Sequence, residues 1–333
     1  MKKNGYRGRL YVFLQILFLM FLFTPLYGKS QTLEFTLGTW YLHWEQDDSP
    51  NNQDIENDIY HRFTIKNSFA KEVAVSGSWH RVKGGIKYIF TKKDEELTTA
   101  LSTEQKLSKI LGFIGIEWEG MASRASYIHS KTEGYSTSID PDTLNEGFVK
   151  FSTELNIGDI TFYPFFNKEG LALGAGYRFM DYTLPQTLYV IGSNKELYRF
   201  VEPNMNWKAH FLTLTVEKVE NQKGFLNFFG KVIGGYVLKL EPKSENVEKA
   251  NESEYLQGGK GYFYEIEFGI LFSKKSKVDN KLLKSVFPKI FTCKIGYRYS
   301  DFVLETAKED DIYIYARAES KFSGPFVSLA LLF

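Results

Sequence analysis

The feature that most constrains this chain is alternation with period two, held over unusually long stretches. In residues 262–272 one face carries Tyr262, Tyr264, Ile266, Phe268, Ile270 and Phe272, and the other Phe263, Glu265, Glu267, Gly269 and Leu271. Residues 149–157 set Val149, Phe151, Thr153, Leu155 and Ile157 against Lys150, Ser152, Glu154 and Asn156. Residues 291–299 repeat the pattern, with Cys293, Ile295 and Tyr297 against Lys294, Gly296 and Arg298. Side chains of a strand alternate between its two faces, and about nine to eleven residues let a tilted strand cross a bilayer's hydrocarbon. A soluble sandwich would show the same period in strands of about five or six residues.

Composition agrees with a membrane-spanning barrel. Aromatic residues make up 17% of the chain, with 29 Phe and 21 Tyr, yet the mean hydropathy is only −0.27. Only every second residue of a barrel strand meets lipid, and aromatic girdles mark both interfaces. Lys2, Lys3, Arg7 and Arg9, an apolar run over 10–23, and small residues at Gly28 and Ser30 read as a signal peptide cut after Ser30. Residues 31–333 are then one barrel domain. No Cys follows the apolar run, which argues against a lipoprotein, and the lone Cys293 excludes an internal disulfide. Without residues 1–30 the chain holds 36 basic against 40 acidic residues, no footprint for nucleic acid.

The expected fold is all-β, a transmembrane antiparallel barrel of about twelve strands, with ten to fourteen allowed and both termini on the periplasmic side. The strands are read at 33–44, 58–67, 72–82, 86–91, 111–121, 147–157, 171–182, 208–218, 228–240, 261–272, 291–304 and 324–333. Polar segments 45–57, 122–146, 183–207, 241–260 and 305–323 are placed outside. Inner turns are expected at 68–71, 158–170 and 219–227, and Gly84 and Gly85 at an outer turn. Leu97, Leu101, Leu107 and Ile110 recur at roughly helical spacing, so 94–110 is read as a short amphipathic helix. The lysine-rich segment 273–289 is read as a solvated turn, with a lipid-surface contact as the alternative. Gly176, Tyr177, Arg178, Asp181 and Leu184 recur as Gly296, Tyr297, Arg298, Asp301 and Leu304, so both copies should run outward.

The last ten residues end on Phe333, with Leu331, Leu329 and Val327 at every second position before it. This resembles the C-terminal assembly signal of Gram-negative outer-membrane proteins. The resemblance implies the cell outer membrane, recognition by the barrel-assembly machinery, and a final strand paired with the first. Outer-membrane lipid and lipopolysaccharide would be its neighbours.

If the apolar face meets lipid, the opposite face lines the lumen. Parity places Glu34, Glu117, Glu119, Glu154, Glu217, Glu265 and Glu267 there, with Lys150, Arg178, Lys231, Lys239, Lys294 and Arg298. Removing an ion from water costs several kcal/mol, so these groups must be hydrated or paired. Either the charged walls face each other across water, giving a narrow and weakly selective pore for small polar solutes, or they pair and plug the barrel. A plugged barrel would be a structural or adhesin-like platform acting through its outer loops. Arg178 and Arg298 are the leading candidates for a functional contact, with pairing to Glu265 or Glu267 as the alternative. Gly174, Gly176, Gly234, Gly235 and Gly269 thin the wall or relieve its curvature.

A third reading is an outer-membrane lipid hydrolase. His43, His61, His80, His129 and His210 sit in no recognisable motif, and His129 and Ser130 would point to opposite faces of a strand. Asp47 and Asp48 near His43 lack a partner pattern. No metal spacing or phosphate-binding loop is present, and no cofactor is expected.

Overall fold

The computed structural model describes residues 31–51, 61–98, 101–139, 146–167, 170–184, 186–191, 197–201, 205–218, 225–244, 259–275, 287–305 and 315–333. Residues 1–30, read above as a signal peptide, and most of 273–289 lie outside these residues. Fourteen strands run in chain order: β1 (Gln31–Asn51), β2 (His61–Trp79), β3 (Val82–Thr98), β4 (Leu101–Trp118), β5 (Met121–Ile139), β6 (Glu146–Phe166), β7 (Leu171–Leu184), β8 (Gln186–Ile191), β9 (Leu197–Val201), β10 (Met205–Lys218), β11 (Leu226–Ser244), β12 (Lys260–Lys275), β13 (Ile290–Glu305) and β14 (Tyr315–Leu332). Among the described residues no helix is long and apolar enough to cross a membrane.

Twelve of the strands close into one antiparallel ring, each paired with its neighbour along the chain, while β8 and β9 form a hairpin on the outer end of β6. The β1–β14 pair joins the ends, running from Glu34 opposite Leu332 to Asn51 opposite Tyr315. At its foot the Phe333 amide donates to the Leu33 carbonyl at 2.8 Å. Residues 31 and 333 therefore share one end, here the inner end. Closure removes free strand edges and satisfies the backbone within the wall, as hydrocarbon requires.

The count of twelve equals the one expected, but two differences cancel. Segments 58–67 and 72–82 are one strand, β2, because Ser68 to Lys71 stay extended: Ser68 and Ala70 are buried inward, Phe69 and Lys71 exposed outward. The turn lies instead at His80 and Arg81, where His80 takes φ 55°. Gly84 and Gly85 consequently fall inside β3, which is far longer than 86–91. Conversely, 122–139 is not an outer loop but β5, entered through Glu119 and Gly120, the latter at φ 74°. The 94–110 segment is no helix either. It is the end of β3 and the start of β4, and its helical spacing comes from two strands read across a hairpin. The 158–170 turn is shorter than expected, since β6 runs on to Phe166.

Outside, Leu37, Phe69, Ile114, Ile160, Leu214, Phe268 and Leu329 form an exposed apolar belt. Trp79, Trp118, Phe165, Phe225 and Phe291 ring its inner edge, and Tyr41, Tyr177, Tyr236 and Tyr262 lie toward its outer edge. A belt between two aromatic girdles is the surface a transmembrane barrel presents to lipid.

Candidate lumen site

The inward face changes character along each strand. On β1 it reads Glu34, Thr36 and Gly38, then Trp40, Leu42 and Trp44 toward the outer end. β13 repeats the switch from Lys294 and Arg298 to Phe302 and Leu304, and β7 passes from Arg178 to Met180 and Tyr182. Running the other way, β10 goes from Trp207, Ala209 and Phe211 to Thr213, Thr215 and Glu217, and β6 from Leu155 and Ile157 to Asp159 and Thr161. The strands align these switches at one level, so the lumen has two tiers.

The outer tier is a plug of wall side chains. Leu42, Trp44, Leu107, Met180, Tyr182, Trp207 and Phe211 are each less than 2% exposed, and Ile128, Ile157, Leu240, Phe263 and Phe302 pack with them in one apolar cluster. Several polar atoms inside it answer one another, while the Trp207 indole N–H is buried without a hydrogen-bond partner among the described residues. Ser68 and Thr91 hydroxyls bond at 2.5 Å, Trp44 Nε1 donates to Ser320 at 3.0 Å, and Trp40 Nε1 donates to the Gly324 carbonyl at 3.1 Å. Inward glycines do not open this space. A Cβ on Gly235 would meet the Phe263 ring at 2.2 Å, and one on Gly176 would meet the Ile160 carbonyl at 2.2 Å. They make room for packing, not for passage.

The inner tier is a cavity of about 540 Å³ whose wall sets charged and hydroxyl side chains among apolar ones such as Leu111, Phe113 and Ile233. At about 30 Å³ per water this is room for a sizeable cluster of solvent. Two arginines form the boundary between the tiers. Arg178 lies flat over Phe263, 3.8 Å from the ring centre. Its Nε and Nη2 donate to Asp159 at 2.6 and 3.1 Å, and its Nη1 donates to Glu265 at 2.7 Å. Arg298 repeats the arrangement over Phe326 at 3.9 Å, donating to Glu267 at 2.9 Å and to Glu72, which also takes Lys87 at 3.0 Å. Glu265 and Glu267 alternate inward on β12, so one strand serves both hubs. The planar guanidinium suits this role because it stacks on a ring and still offers donors to two carboxylates. Nearer the inner end Arg124 donates to both Glu217 oxygens at 2.8 and 2.6 Å, and Tyr163 adds a bond to Glu217 at 3.3 Å.

The sequence-derived residues fall in different places. Arg178, Arg298, Glu265 and Glu267 meet at the boundary, and Lys231, Lys294, Glu117, Glu34 and Glu217 line the cavity. Lys239 does not. Leu238 is an extra residue in β11, opposite the step from His210 to Phe211, and this bulge turns Lys239 outward to pair with Glu241. Glu119 sits in the exposed turn before β5, where strand parity no longer applies. Glu154 is exposed because Thr153, Leu155 and Ile157 face the plug: inside is apolar at that level, so the rule that apolar means lipid inverts. The Lys150 side chain lies outside the described residues.

Seven charged residues lining the lumen were not foreseen: Glu72, Lys83, Lys87, Lys109, Arg124, Asp159 and Lys218. Lys109, Arg124 and Asp159 lie in segments read as helix, loop and turn. The signal for β5 was present as Arg124, Ser126 and Ile128 alternating with Ala125 and Tyr127, but its outward face is too weakly apolar to stand out. His129 points outward, its Nδ1 2.9 Å from Asn156, and Ser130 is buried on the opposite face. Among the described residues no group of three His, Cys, Asp or Glu is placed to hold a metal.

A closed wall, a lipid-facing belt and a charged interior together define a transmembrane barrel of the outer-membrane class. No family model and no curated protein matches the chain. Among solved structures it is similar to the P. putida toluene transporter TodX, at 10% identity and a TM-score of 0.40, covering 93% of this chain and 92% of that one. A Pseudomonas aeruginosa FadL homologue is similar at 8% identity and a TM-score of 0.36, over 91% and 90% of the chains. The translocator domain of the autotransporter NalP from Neisseria meningitidis is similar at 8% identity and a TM-score of 0.45, over 92% and 89%. The cargo named for those proteins is theirs.

Proposed function

We propose that this outer-membrane barrel is a narrow channel that rests closed, and that in its open form it passes small polar solutes with weak selectivity. The observation that carries this reading is the division of the lumen into a charged inner vestibule and a dry outer plug. About eight strands enclose only packed side chains, and about sixteen to eighteen leave an aqueous channel. Twelve strands here do each over half the lumen. Acids and bases are nearly balanced in the vestibule, with only a small surplus of bases, so its selection among ions is weak. Among the described residues the plug is made of wall side chains alone, so rotamer changes at a few large residues are enough to breach it.

Planar-bilayer recording tests this. Wild-type barrel should be silent at moderate voltage, and truncating Trp44→Ala with Trp207→Ala should produce discrete conductance steps. Steady steps from the wild type would overturn the closed state. A folded but silent double variant would favour the second reading, a platform acting through its outer loops, to which the tight plug also lends support. Under either reading we assign lipopolysaccharide as the neighbour of the outer belt. The barrel-assembly machinery would engage β14, whose end is fixed by Phe333 packing edge-on against Phe35 at 5.7 Å. The proposal gives the barrel no catalytic step.

A further inference from the structure

We propose that the vestibule holds a small oxyanion, a carboxylate or a phosphate, between Lys109 of β4 and Lys231 of β11. The proposal deepens, and rests on, the vestibule reading above by naming a class of solute for it. β4 and β11 stand far apart on the ring, five strands one way and seven the other, yet both lysines line the same cavity. Lys231 stands beside Glu267 on the neighbouring strand β12, and Lys109 enters the same cavity from the opposite wall.

The carboxylates that could neutralise them are engaged elsewhere. Glu265 takes Arg178 at 2.7 Å, Asp159 takes the same guanidinium twice, Glu267 takes Arg298, Glu72 takes Arg298 and Lys87, and Glu217, opposite Lys231 on β10, takes Arg124 through both oxygens. Among the described residues neither Lys109 nor Lys231 has an ion-pair or hydrogen-bond partner. Lys109 instead rests its ammonium 6.0 Å from the centre of the Phe322 ring, on the underside of the plug. Over the whole cavity seven carboxylates stand against three arginines and six lysines, so it keeps a small surplus of positive charge. A partly dehydrated chamber strengthens that attraction over its value in water. One anion with several acceptor oxygens answers two ammonium groups from opposite walls.

Equilibrium dialysis of the full-length barrel, folded in zwitterionic detergent, against radiolabelled orthophosphate and separately against succinate tests this. Saturable binding near one per barrel is expected for at least one anion, and the arm that binds names the source. Lys109→Met and Lys231→Met should each weaken it at least about tenfold, the scale of one charge-assisted bond. The exposed, outward Lys208→Met should leave it unchanged, and Lys109→Arg should retain it, which separates lost charge from lost fold. Wild-type retention no greater than empty micelles, or unchanged binding in both Met variants, would overturn the site. Binding is read with the lumen shut, so it stands or falls separately from the conductance of the plug variants.

Discussion

Arg298 reaches a carboxylate on its neighbouring strand, Glu267, and another three strands away, Glu72, while its plane lies on Phe326. Removing such a group leaves the buried Glu72 with Lys87 alone and takes the ion pair from the cavity-facing Glu267; this costs about 3 kcal/mol, the low end for breaking a buried pair, because solvent reaches Glu267. Arg298→Met is therefore expected to lower the unfolding free energy by about that much, read from urea titration of the vesicle-folded barrel. Arg298→Lys should recover only part, because an ammonium cannot stack and span two acceptors at once. Lys239→Met, outside the barrel, should leave the midpoint where it is. Equal losses in Arg298→Met and Lys239→Met would contradict the assignment of hubs. The two arginines were legible in the sequence through the repeat at Gly176 and Gly296. Their partners were not: Asp159 stands opposite Arg178 on the neighbouring strand but in a segment whose pattern reads as a turn, and Glu72 is three strands from Arg298, a contact set by ring order and strand tilt that alternation does not encode.

Elements were legible where the two faces differ most in polarity. β12 and β13, with tyrosines and isoleucines set against Glu, Lys and Arg, have the bounds their pattern gives within a few residues. β5 was not, because its outward face mixes Ala125, Tyr127 and His129 and its inward face mixes Ser126 and Ile128. The β11 bulge was hidden for another reason: one inserted residue flips every side chain beyond it without changing composition. Spin labels on a Cys293→Ser background test β5 directly. A label at Tyr127→Cys should relax strongly with oxygen and weakly with a polar nickel reagent, as in lipid. The reverse preference would return residues 122–139 to an outer loop. Glycine at an inward strand position gives a second test. A Cβ at Gly296 would stand 2.3 Å from the Phe268 carbonyl, so Gly296→Val should reduce the fraction of barrel that resists unfolding in cold SDS.

Over the whole molecule, the gradient of the inward face decides what the lumen can be. Large apolar residues fill the outer half and charged ones the inner half, so the barrel is neither a continuous water column nor a fully packed rod. That division follows from a pattern visible along single strands, from Glu34 to Trp44 on β1 and from Trp207 to Glu217 on β10. Its alignment into tiers emerges only when the strands take their register.

The chain's five tryptophans make the dry plug measurable. Trp79 and Trp118 are on the outer surface at the inner end, and Trp40, Trp44 and Trp207 are at most 5% exposed inside. In a Trp79→Phe, Trp118→Phe barrel folded into lipid vesicles, all emission comes from the three interior indoles. Blue emission with acrylamide quenching several-fold weaker than for a free indole is the expected result. Red-shifted emission, quenched as readily as in water, would mean that solvent fills the outer half of the lumen and that the barrel stands open.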